Sequence, residues 1–286
     1  MIQFTSIAQM LQGTDGLPLW EAILESDCRS QGISRQTSLE RMNRLLQAME
    51  DARRDYDPQQ RSASGLVGGD GGRMARYGEG DTLCGPFFTE VMACALTMGE
   101  CNACMKRIVA APTAGACGVL PAVLLPYARH FGASREELIR ALYVASGFGM
   151  ILAARASISG AEGGCQAEIG SASAMAAPAV VYLQGGTPEQ MAHSCAMAVK
   201  NLLGLVCDPV GGLVEVPCVK RNVIGAMNAL SAAQMALAGI TSRIPPDQVL
   251  DAMAEVGRAL PRSLRETGTG GLAATPFARE RFPREL

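Results

Sequence analysis

Apolar side chains recur at intervals of three and four residues in two segments near the start of the chain. They are Leu17, Trp20, Ile23 and Leu24 in residues 17–32, and Leu39, Met42, Leu45, Leu46 and Met49 in residues 34–57. This spacing places them on one face of an α-helix. The opposite face of the second segment is rich in Arg and Glu, which is typical of a solvated face, with partner docking as the alternative. We therefore predict an N-terminal helical arm over residues 1–56.

Helical patterns continue through most of the remaining chain. The predicted helices cover 87–109, a segment from 119, and then 134–157, 171–186, 187–204, 221–240 and 245–260. Ser134 with Glu137 forms a capping-box pattern, and Thr187 followed by Pro188 is typical of a helix start. Alternating runs typical of strands are few, and the sequence has no hairpin signal. The predicted fold class is all-α, with a helical domain over 57–286 that is continuous with the arm.

A glycine-rich stretch at 57–80 interrupts the helical pattern. Its spacing matches neither a P-loop nor a dinucleotide fingerprint, and no strand precedes it. A long glycine-rich loop inside a compact chain is often functional, and its backbone amides can bind a carboxylate. Ser64 and Gly65 are the candidate substrate contacts here, and a disordered linker is the alternative.

Two further turns contain residues that suit the binding of an anion. Pro112 and Gly115 break a helical run, which places the Thr113 hydroxyl and the amides of Ala114 and Gly115 at a helix N-terminus. This turn is the preferred contact for a substrate carboxylate, and an ordinary capping turn is the alternative. Ser159, in the polar turn ASISGAEGGC, is a further candidate.

Composition narrows the class of partner and the compartment. The net charge is −2 and no basic block is present, which argues against nucleic acid as a partner. The chain has ten cysteines, but its start, MIQFTSIAQM, lacks the pattern of a signal peptide, so we expect a reducing cytoplasm. The least polar stretches, 108–128 and 169–188, contain Pro, Gly and Ser. They predict buried core instead of membrane spans.

Three cysteines, Cys165, Cys207 and Cys218, each lie in a turn-like setting beside Gly or Pro. Thiolates are soft ligands that suit zinc, copper(I) or an iron–sulfur cluster. Three ligands leave one metal position open, as catalytic metal sites require. Spacing alone favours buried free cysteines. Another group, Cys94, Cys101 and Cys104, falls close to one helical face and predicts packing, with half of a zinc site or a redox pair as the alternative.

Five segments resemble the iron–sulfur-dependent L-serine dehydratases (L-serine ammonia-lyases), and in particular their α chain. They are SGLVGGD (64–70), APTAGACGVLPAVL (111–124), SISGAEGGCQAEIGSASAMAA (157–177), NLLGLVCDPVGGLVEVPCVKRN (201–222) and RETGTGGLAATP (265–276). The resemblance implies a helical catalytic domain that encloses a [4Fe–4S] cluster, with Cys165, Cys207 and Cys218 as its ligands. It also implies a lyase that converts L-serine to pyruvate and ammonia, in serine catabolism and gluconeogenesis.

In such a site a base removes the Cα proton of serine while a free iron takes the β-hydroxyl. Glu162, Glu168 and Asp208 are the candidates in this chain, because His130 and His193 fall in or beside ordinary helical runs. Two-chain members of the family pair this α chain with a β chain. The resemblance therefore implies a β chain that completes the site, and an oligomer.

The sequence departs from the family pattern at two points. They leave undecided which substrate the chain takes and which group binds the fourth iron. Single-chain relatives place a C-terminal cysteine on that iron, whereas this chain ends FPREL. Arg155 stands where they have asparagine, which favours a different substrate if it faces the site. The alternatives are a lyase for another β-substituted amino acid (cysteine desulfidase or threonine deaminase) and an inactive zinc-binding structural homologue. A pyridoxal phosphate enzyme is not expected, since Lys106, Lys200 and Lys220 lie in no recognisable cofactor context.

Overall fold

A computed structural model describes residues 4–283. Over that range the chain forms thirteen α-helices and no β-strand, which confirms the predicted all-α class. The helices are α1 (Ile7–Gln12), α2 (Leu19–Gln31), α3 (Arg35–Arg54), α4 (Asp70–Tyr77), α5 (Gly85–Ala103), α6 (Val119–Phe131), α7 (Arg135–Ala156), α8 (Gly160–Gly163), α9 (Ser171–Leu183), α10 (Pro188–Asn201), α11 (Cys218–Leu237), α12 (Pro246–Ala259) and α13 (Pro276–Arg281).

Helix α9 forms the centre of the molecule. Every residue from Ser171 to Val181 is buried, and the helix packs against α6, α7, α10 and α11. More than half of its side chains are Ala or Ser, so neighbouring helices approach it closely. The turn that contains Cys165 leads into this helix. The best-buried element of the core therefore positions the first of the three cysteines.

Helices α1 to α3 pack on the same core as the rest of the chain. Ile23 on α2 and Leu46 on α3 belong to one buried cluster with residues of α5, α7 and α9. Gly147 on α7 makes room for this contact, since a Cβ there would lie 2.4 Å from Ile23 Cδ1. The hydroxyl oxygens of Ser38 and Tyr143 lie 2.7 Å apart across the same interface. The division of the chain at residue 56 stays a prediction, and the contacts describe one continuous core.

The predicted loop at 57–80 is wrong in its second half, where α4 forms. The buried carboxylate of Glu100 accepts hydrogen bonds from the amides of Asp70 and Gly71, at 2.7 and 3.1 Å, and so stabilises the start of this helix. A Cβ on Gly71 would lie 2.6 Å from Thr97 Oγ1. The missing side chain of Gly71 therefore allows α4 to lie against α5, although glycine has a low helix propensity.

Local signals locate other helix ends well. Ser134 caps α7 in a capping box and Thr187 caps α10, as predicted. Helix α5 ends at Ala103, short of the predicted residue 109, because Met105 has a positive φ of 59° that a right-handed helix cannot contain. The sequence pattern predicts neither α13 nor the π-helical turn over Gln166–Gly170.

Helix α7 is long and apolar enough to cross a membrane by length and composition alone. Of its most apolar window, 56% is buried inside the molecule, where the helix packs against α2, α9 and α12. Within residues 4–283 no other helix meets the same criteria. The packing assigns α7 to the protein core.

Candidate active site

Cys165 lies at the start of the π-helical turn and is buried. Gly164 before it has φ 75°, and a Cβ there would lie 2.9 Å from Leu205 O, so glycine is needed for this close approach. Gln166 after it is tied to the same neighbouring segment. Its amide donates to Leu205 O and its Oε1 accepts from the Gly204 amide, both at 2.9 Å. The first cysteine is thus fixed against the stretch that leads to the second.

Cys207 lies in an extended segment held by backbone pairing. Its amide donates to Leu264 O and its carbonyl accepts from the Glu266 amide, both at 2.8 Å. The pairing forms an isolated parallel bridge with Arg265. It brings Glu266, from the RETGTGG motif, close enough for its charge to act on the buried Cys207 thiol.

Cys218 is the first residue of α11, and Asn222 one turn later links it to the turn at 113–118. Asn222 Nδ2 donates to Cys218 O at 3.0 Å and to Gly115 O at 2.9 Å. Its Oδ1 accepts from the Gly118 amide at 2.8 Å, and the side chain is buried. One amide side chain therefore joins the third cysteine to the turn that the sequence predicts as a substrate contact.

The three thiols lie close enough to act on one another electrostatically. Burial raises the pKa of Cys165 to about 11 and the pKa of Cys218 to about 12. Burial, followed by the nearby Glu168 and the other two cysteines, also raises the pKa of Cys207. Thiols of this kind keep their protons until a metal replaces them.

Within residues 4–283, no group of three or more His, Cys, Asp or Glu side chains is arranged to hold one metal ion. Thiolates suit zinc as well as an iron–sulfur cluster. The cluster-ligand role of Cys165, Cys207 and Cys218 stays a prediction, as do the zinc alternatives here and at the Cys101–Cys104 pair.

Glu168 contacts Cys207 from the π-helical turn. Thr113 Oγ1 donates to Glu168 Oε1 at 2.8 Å, and Cys207 Sγ donates to Oε2 at 3.7 Å. Burial raises the pKa of Glu168, the hydrogen bond from Thr113 opposes this, and the charge of Glu266 adds to the rise. The result is a half-buried carboxyl group that holds its proton to a higher pH than an ordinary glutamate.

Two glycines leave the space that Glu168 occupies. A Cβ at Gly160 would lie 2.7 Å from Glu168 Oε2, and a Cβ at Gly115 would lie 3.2 Å from Oε1. The predicted substrate contacts Thr113, Ala114 and Gly115 form one of these turns, and Ser159 immediately precedes Gly160 in the other. The fold brings both turns to Glu168. Their contact with a substrate stays a prediction.

The other two candidate bases have different surroundings. Asp208 is buried, pairs with Arg221 Nη2 at 2.9 Å and accepts from the Leu272 amide at 2.8 Å. Glu162 is exposed and accepts from Ser157 Oγ at 2.6 Å. Of the three carboxylates, Glu168 is the one that a cysteine thiol contacts.

Ser64 and Gly65 lie beside the loop between Cys207 and Cys218, for which we use the name cysteine loop. Ser62 Oγ donates to Glu215 Oε2 at 2.7 Å, and Ser64 Oγ donates to the same oxygen. Glu215 belongs to the cysteine loop and is buried. The glycine-rich stretch is therefore held against the site by a protein carboxylate. A substrate contact for Ser64 or Gly65 stays a prediction.

Arg155 is engaged elsewhere. Its Nη2 donates to Asp251 Oδ2 on α12 at 2.8 Å, and its Nη1 donates to Thr5 O at 3.4 Å. The expectation of a different substrate therefore loses its structural basis. The two histidines are also placed in helices, as predicted, with His130 paired to Glu90 at 2.7 Å and His193 inside α10.

Sequence reasoning misses three residues of the site, namely Glu215, Arg221 and Asn222. Arg221 and Asn222 follow Cys218 by three and four positions, and this helical spacing is the one signal that places them on the same face as the cysteine. Glu215 meets Ser62 across 153 residues of sequence. Nothing local predicts that contact.

A cleft of about 1080 Å³ opens beside these segments. Gly211 and Gly212 of the cysteine loop line one side, together with residues 267–269, which follow Glu266. Arg279 and Arg281 line another side. Arginine binds carboxylates well, so this wall suits a small acid.

The chain matches the family described as "Serine dehydratase alpha chain" over residues 14–273. It is 56% identical over 220 residues to the "Probable L-serine dehydratase, alpha chain" of Bacillus subtilis (strain 168), a match that covers 77% of this chain and 73% of that protein. It is 38% identical over 262 residues to the "L-serine dehydratase, alpha chain" of Peptoniphilus asaccharolyticus, covering 91% and 90% respectively.

A third relative is longer. The L-serine dehydratase of Escherichia coli (strain K12) is 44% identical over 181 residues, which are 63% of this chain but 40% of that protein.

Proposed function

The chain belongs to the serine dehydratase alpha-chain family, and from that membership we propose that it is the α chain of an L-serine ammonia-lyase. The observation that carries the proposal is the convergence of Cys165, Cys207 and Cys218 beside the half-buried Glu168. Dehydration of serine removes the Cα proton and the β-hydroxyl. The resulting enamine rearranges to an imine, which hydrolyses to pyruvate and ammonia.

We assign the three thiolates to a [4Fe–4S] cluster. Two features support this assignment: Cys165 and Cys207 are buried, and all three thiols lie close enough to act on one another electrostatically. When bound, such a cluster supplies a Lewis-acidic iron at a position that these thiolates leave open. An oxygen-labile group of this kind fits a reducing compartment such as the cytoplasm.

Glu168 is the group of this chain that we assign to proton transfer. Its raised pKa keeps it protonated to a higher pH, so that it can donate a proton to the departing hydroxyl. Thr113 orients the carboxyl group, and Gly115 and Gly160 leave room beside it. The amino acid would lie against these turns, with Ser159, Ala114, Ser64 and Gly65 in the surrounding wall.

We assign the removal of the Cα proton to a residue of a separate β chain. Two of the relatives carry α-chain names, and a longer relative has the plain name L-serine dehydratase. His130 is paired with Glu90, and His193 lies inside α10. Asp208 is paired with Arg221, and Glu162 is exposed. With Glu168 assigned to the departing hydroxyl, we therefore place the second proton-transfer group outside this chain.

The test is anaerobic reconstitution with iron and sulfide, followed by iron and sulfide analysis and a pyruvate assay with L-serine, with and without the β chain. We expect a brown protein with about four irons per chain, slow turnover alone and faster turnover with the β chain. L-Threonine and L-cysteine in the same assay decide between the proposed activity and its related alternatives. A colourless protein that binds zinc tightly would defeat the cofactor assignment, and full activity without a partner would defeat the assignment of the base.

A further inference from the structure

Arg221 is a buried cation among the cysteines. Its side chain is 12% exposed and lies on α11, three residues after Cys218. Nη1 donates to Val206 O at 2.7 Å, and Nη2 donates to Asp208 Oδ1 at 2.9 Å. The charge of the guanidinium also acts on the Cys165 thiol. One side chain therefore joins the residues on both sides of Cys207 to the helix that begins with the third cysteine, and its charge reaches the first.

The chemistry of arginine explains why this position suits it. A guanidinium has five donors in one rigid plane and stays charged, whereas a lysine ammonium is a compact point charge on a flexible stem. Two different nitrogens of that planar fork donate here to a carbonyl and a carboxylate at the same time. The neighbouring Lys220 is 77% exposed and faces Asp70 at 3.6 Å, so it provides a matched surface cation.

A further contact fixes Asp208, the acidic partner of Arg221. Asp208 Oδ2 accepts from the Leu272 amide at 2.8 Å. Gly271 lies directly on this carboxylate, because a Cβ there would be 2.4 Å from Oδ2. The partner of Arg221 is therefore held in place by the RETGTGG segment, which also pairs with Cys207.

We propose that Arg221 is the positioning residue of the three thiolates, holding Cys165, Cys207 and Cys218 in one frame so that all three meet the same cluster. The inference rests on the proposed cluster. Three thiolates bring three negative charges together, and Arg221 supplies a positive charge close enough to act on Cys165 and Cys218. It touches no reacting atom of the substrate in this scheme, so its effect is on the geometry and environment of the ligands.

The experiment compares Arg221→Lys, Arg221→Met and the control Lys220→Met after identical anaerobic reconstitution. The measurements are iron and sulfide per chain, the electron paramagnetic resonance spectrum of the reduced cluster and its reduction potential. We expect both Arg221 variants to bind less than half of the wild-type iron, and the bound fraction to show a changed spectrum and potential. Lys220→Met should match the wild type in every measurement.

The melting temperature of the cluster-free chains distinguishes a positioning role of Arg221 from a merely structural one. We expect cluster-free Arg221→Lys to melt close to the wild type, because the charge and most of the packing are kept. Asp208→Asn, which leaves Arg221 in place but removes its carboxylate partner, should give a smaller loss of iron and a smaller spectral change. That variant also provides the test if Arg221→Met does not fold.

Two outcomes would overturn the proposal, and they differ from each other. Wild-type iron content with an unchanged spectrum and potential in Arg221→Lys would remove the positioning role while leaving the cluster intact. A wild-type chain that itself assembles no cluster would remove the cofactor assignment, and the role of Arg221 with it. The wild-type control therefore tells which of the two inferences has failed.

Discussion

Glu90 and Glu168 are partly buried carboxyl groups in opposite electrostatic surroundings. Glu90, on α5, contacts Arg53 and lies 3.2 Å from Arg129 and 2.7 Å from His130. Burial by itself would raise the pKa of Glu90, but hydrogen bonds from Arg53 and His130 outweigh it and hold the pKa below its ordinary value. Glu168 has a hydroxyl, a thiol and a second carboxylate around it, and its pKa is raised.

Each carboxyl group is also close to a buried cysteine, so the region around Glu90 and the region around Glu168 contain similar residue types. Cys94 and Glu90 line the same cavity of about 460 Å³. The difference is that the cations around Glu90 are joined to the carboxylate itself and neutralise its charge. Around Glu168 the nearby cation, Arg221, is joined to Asp208 instead. A paired carboxylate stabilises a fold, whereas an acid with few charged partners is available for chemistry.

The largest expected difference concerns the thiols of the two regions. Replacing Cys165, Cys207 or Cys218 by Ser should abolish the visible absorbance and the activity, because two thiolates hold a cluster poorly. Cys94→Ser, Cys101→Ser and Cys104→Ser should keep both. The measurement is iron content and L-serine turnover after anaerobic reconstitution. If Cys94→Ser bleaches the protein and Cys165→Ser does not, the regions have been assigned in reverse.

Glu168→Gln should lower turnover by about 10²- to 10⁴-fold, the usual contribution of a positioned acid or base. Iron and sulfide per chain should stay at the wild-type level, since glutamine preserves the size of the side chain. Glu162→Gln is the matched control, because Glu162 is exposed and hydrogen-bonded to Ser157. Equal turnover in the two variants would show that Glu168 is a structural acid like Glu90.

Glu90→Gln should leave turnover unchanged and lower the free energy of unfolding by about 1.5–3 kcal/mol, the usual contribution of hydrogen bonds to charged groups. Because the folded pKa of Glu90 lies below its ordinary value of 4.5, its stabilisation is present above that pH and is lost as pH falls through the lowered pKa. The gap between wild type and variant, measured by chemical denaturation, should therefore shrink below about pH 4.5. A constant gap would contradict the ion-cluster interpretation.

The smallest effect is expected from Arg155→Met. Its pairing with Asp251 at 2.8 Å lies near the surface, so the loss of stability should be about 0.2–1 kcal/mol. The preference for L-serine over L-threonine and L-cysteine, measured as ratios of kcat/KM, should not change. A shift of these ratios would mean that Arg155 acts on the substrate.

Local signals predict a large part of the fold because they depend on neighbours in sequence. Ser134 and Thr187 cap their helices as their patterns indicate. The failures come from distant partners. Helix α4 forms among glycines because Glu100, thirty residues away, accepts from its first amides. In sequence, Glu162, Glu168 and Asp208 are equivalent carboxylates near the cysteines.

Residues far away in the chain distinguish those three acids. Thr113 meets Glu168 across 55 residues, and Leu272 meets Asp208 across 64. No periodicity or motif in the sequence predicts that Asp208 pairs with Arg221 and that Glu168 contacts a thiol. The positions of the three cysteines follow from the family motifs, but the roles of their neighbours depend on tertiary contacts alone.

The pairing of Cys207 and Asp208 with residues 264–272 has a consequence for synthesis of the protein. Translation proceeds at about 5–20 residues per second, so roughly 3–11 seconds separate the addition of Cys218 from that of Leu272. During this interval the nascent chain contains all three thiols, while Cys207 lacks the Leu264 and Glu266 backbone bonds and Asp208 lacks the Leu272 amide. The frame for the thiolates is therefore completed only after residues 264–272 have been added. Iron delivered before that time meets cysteines that are still free to separate.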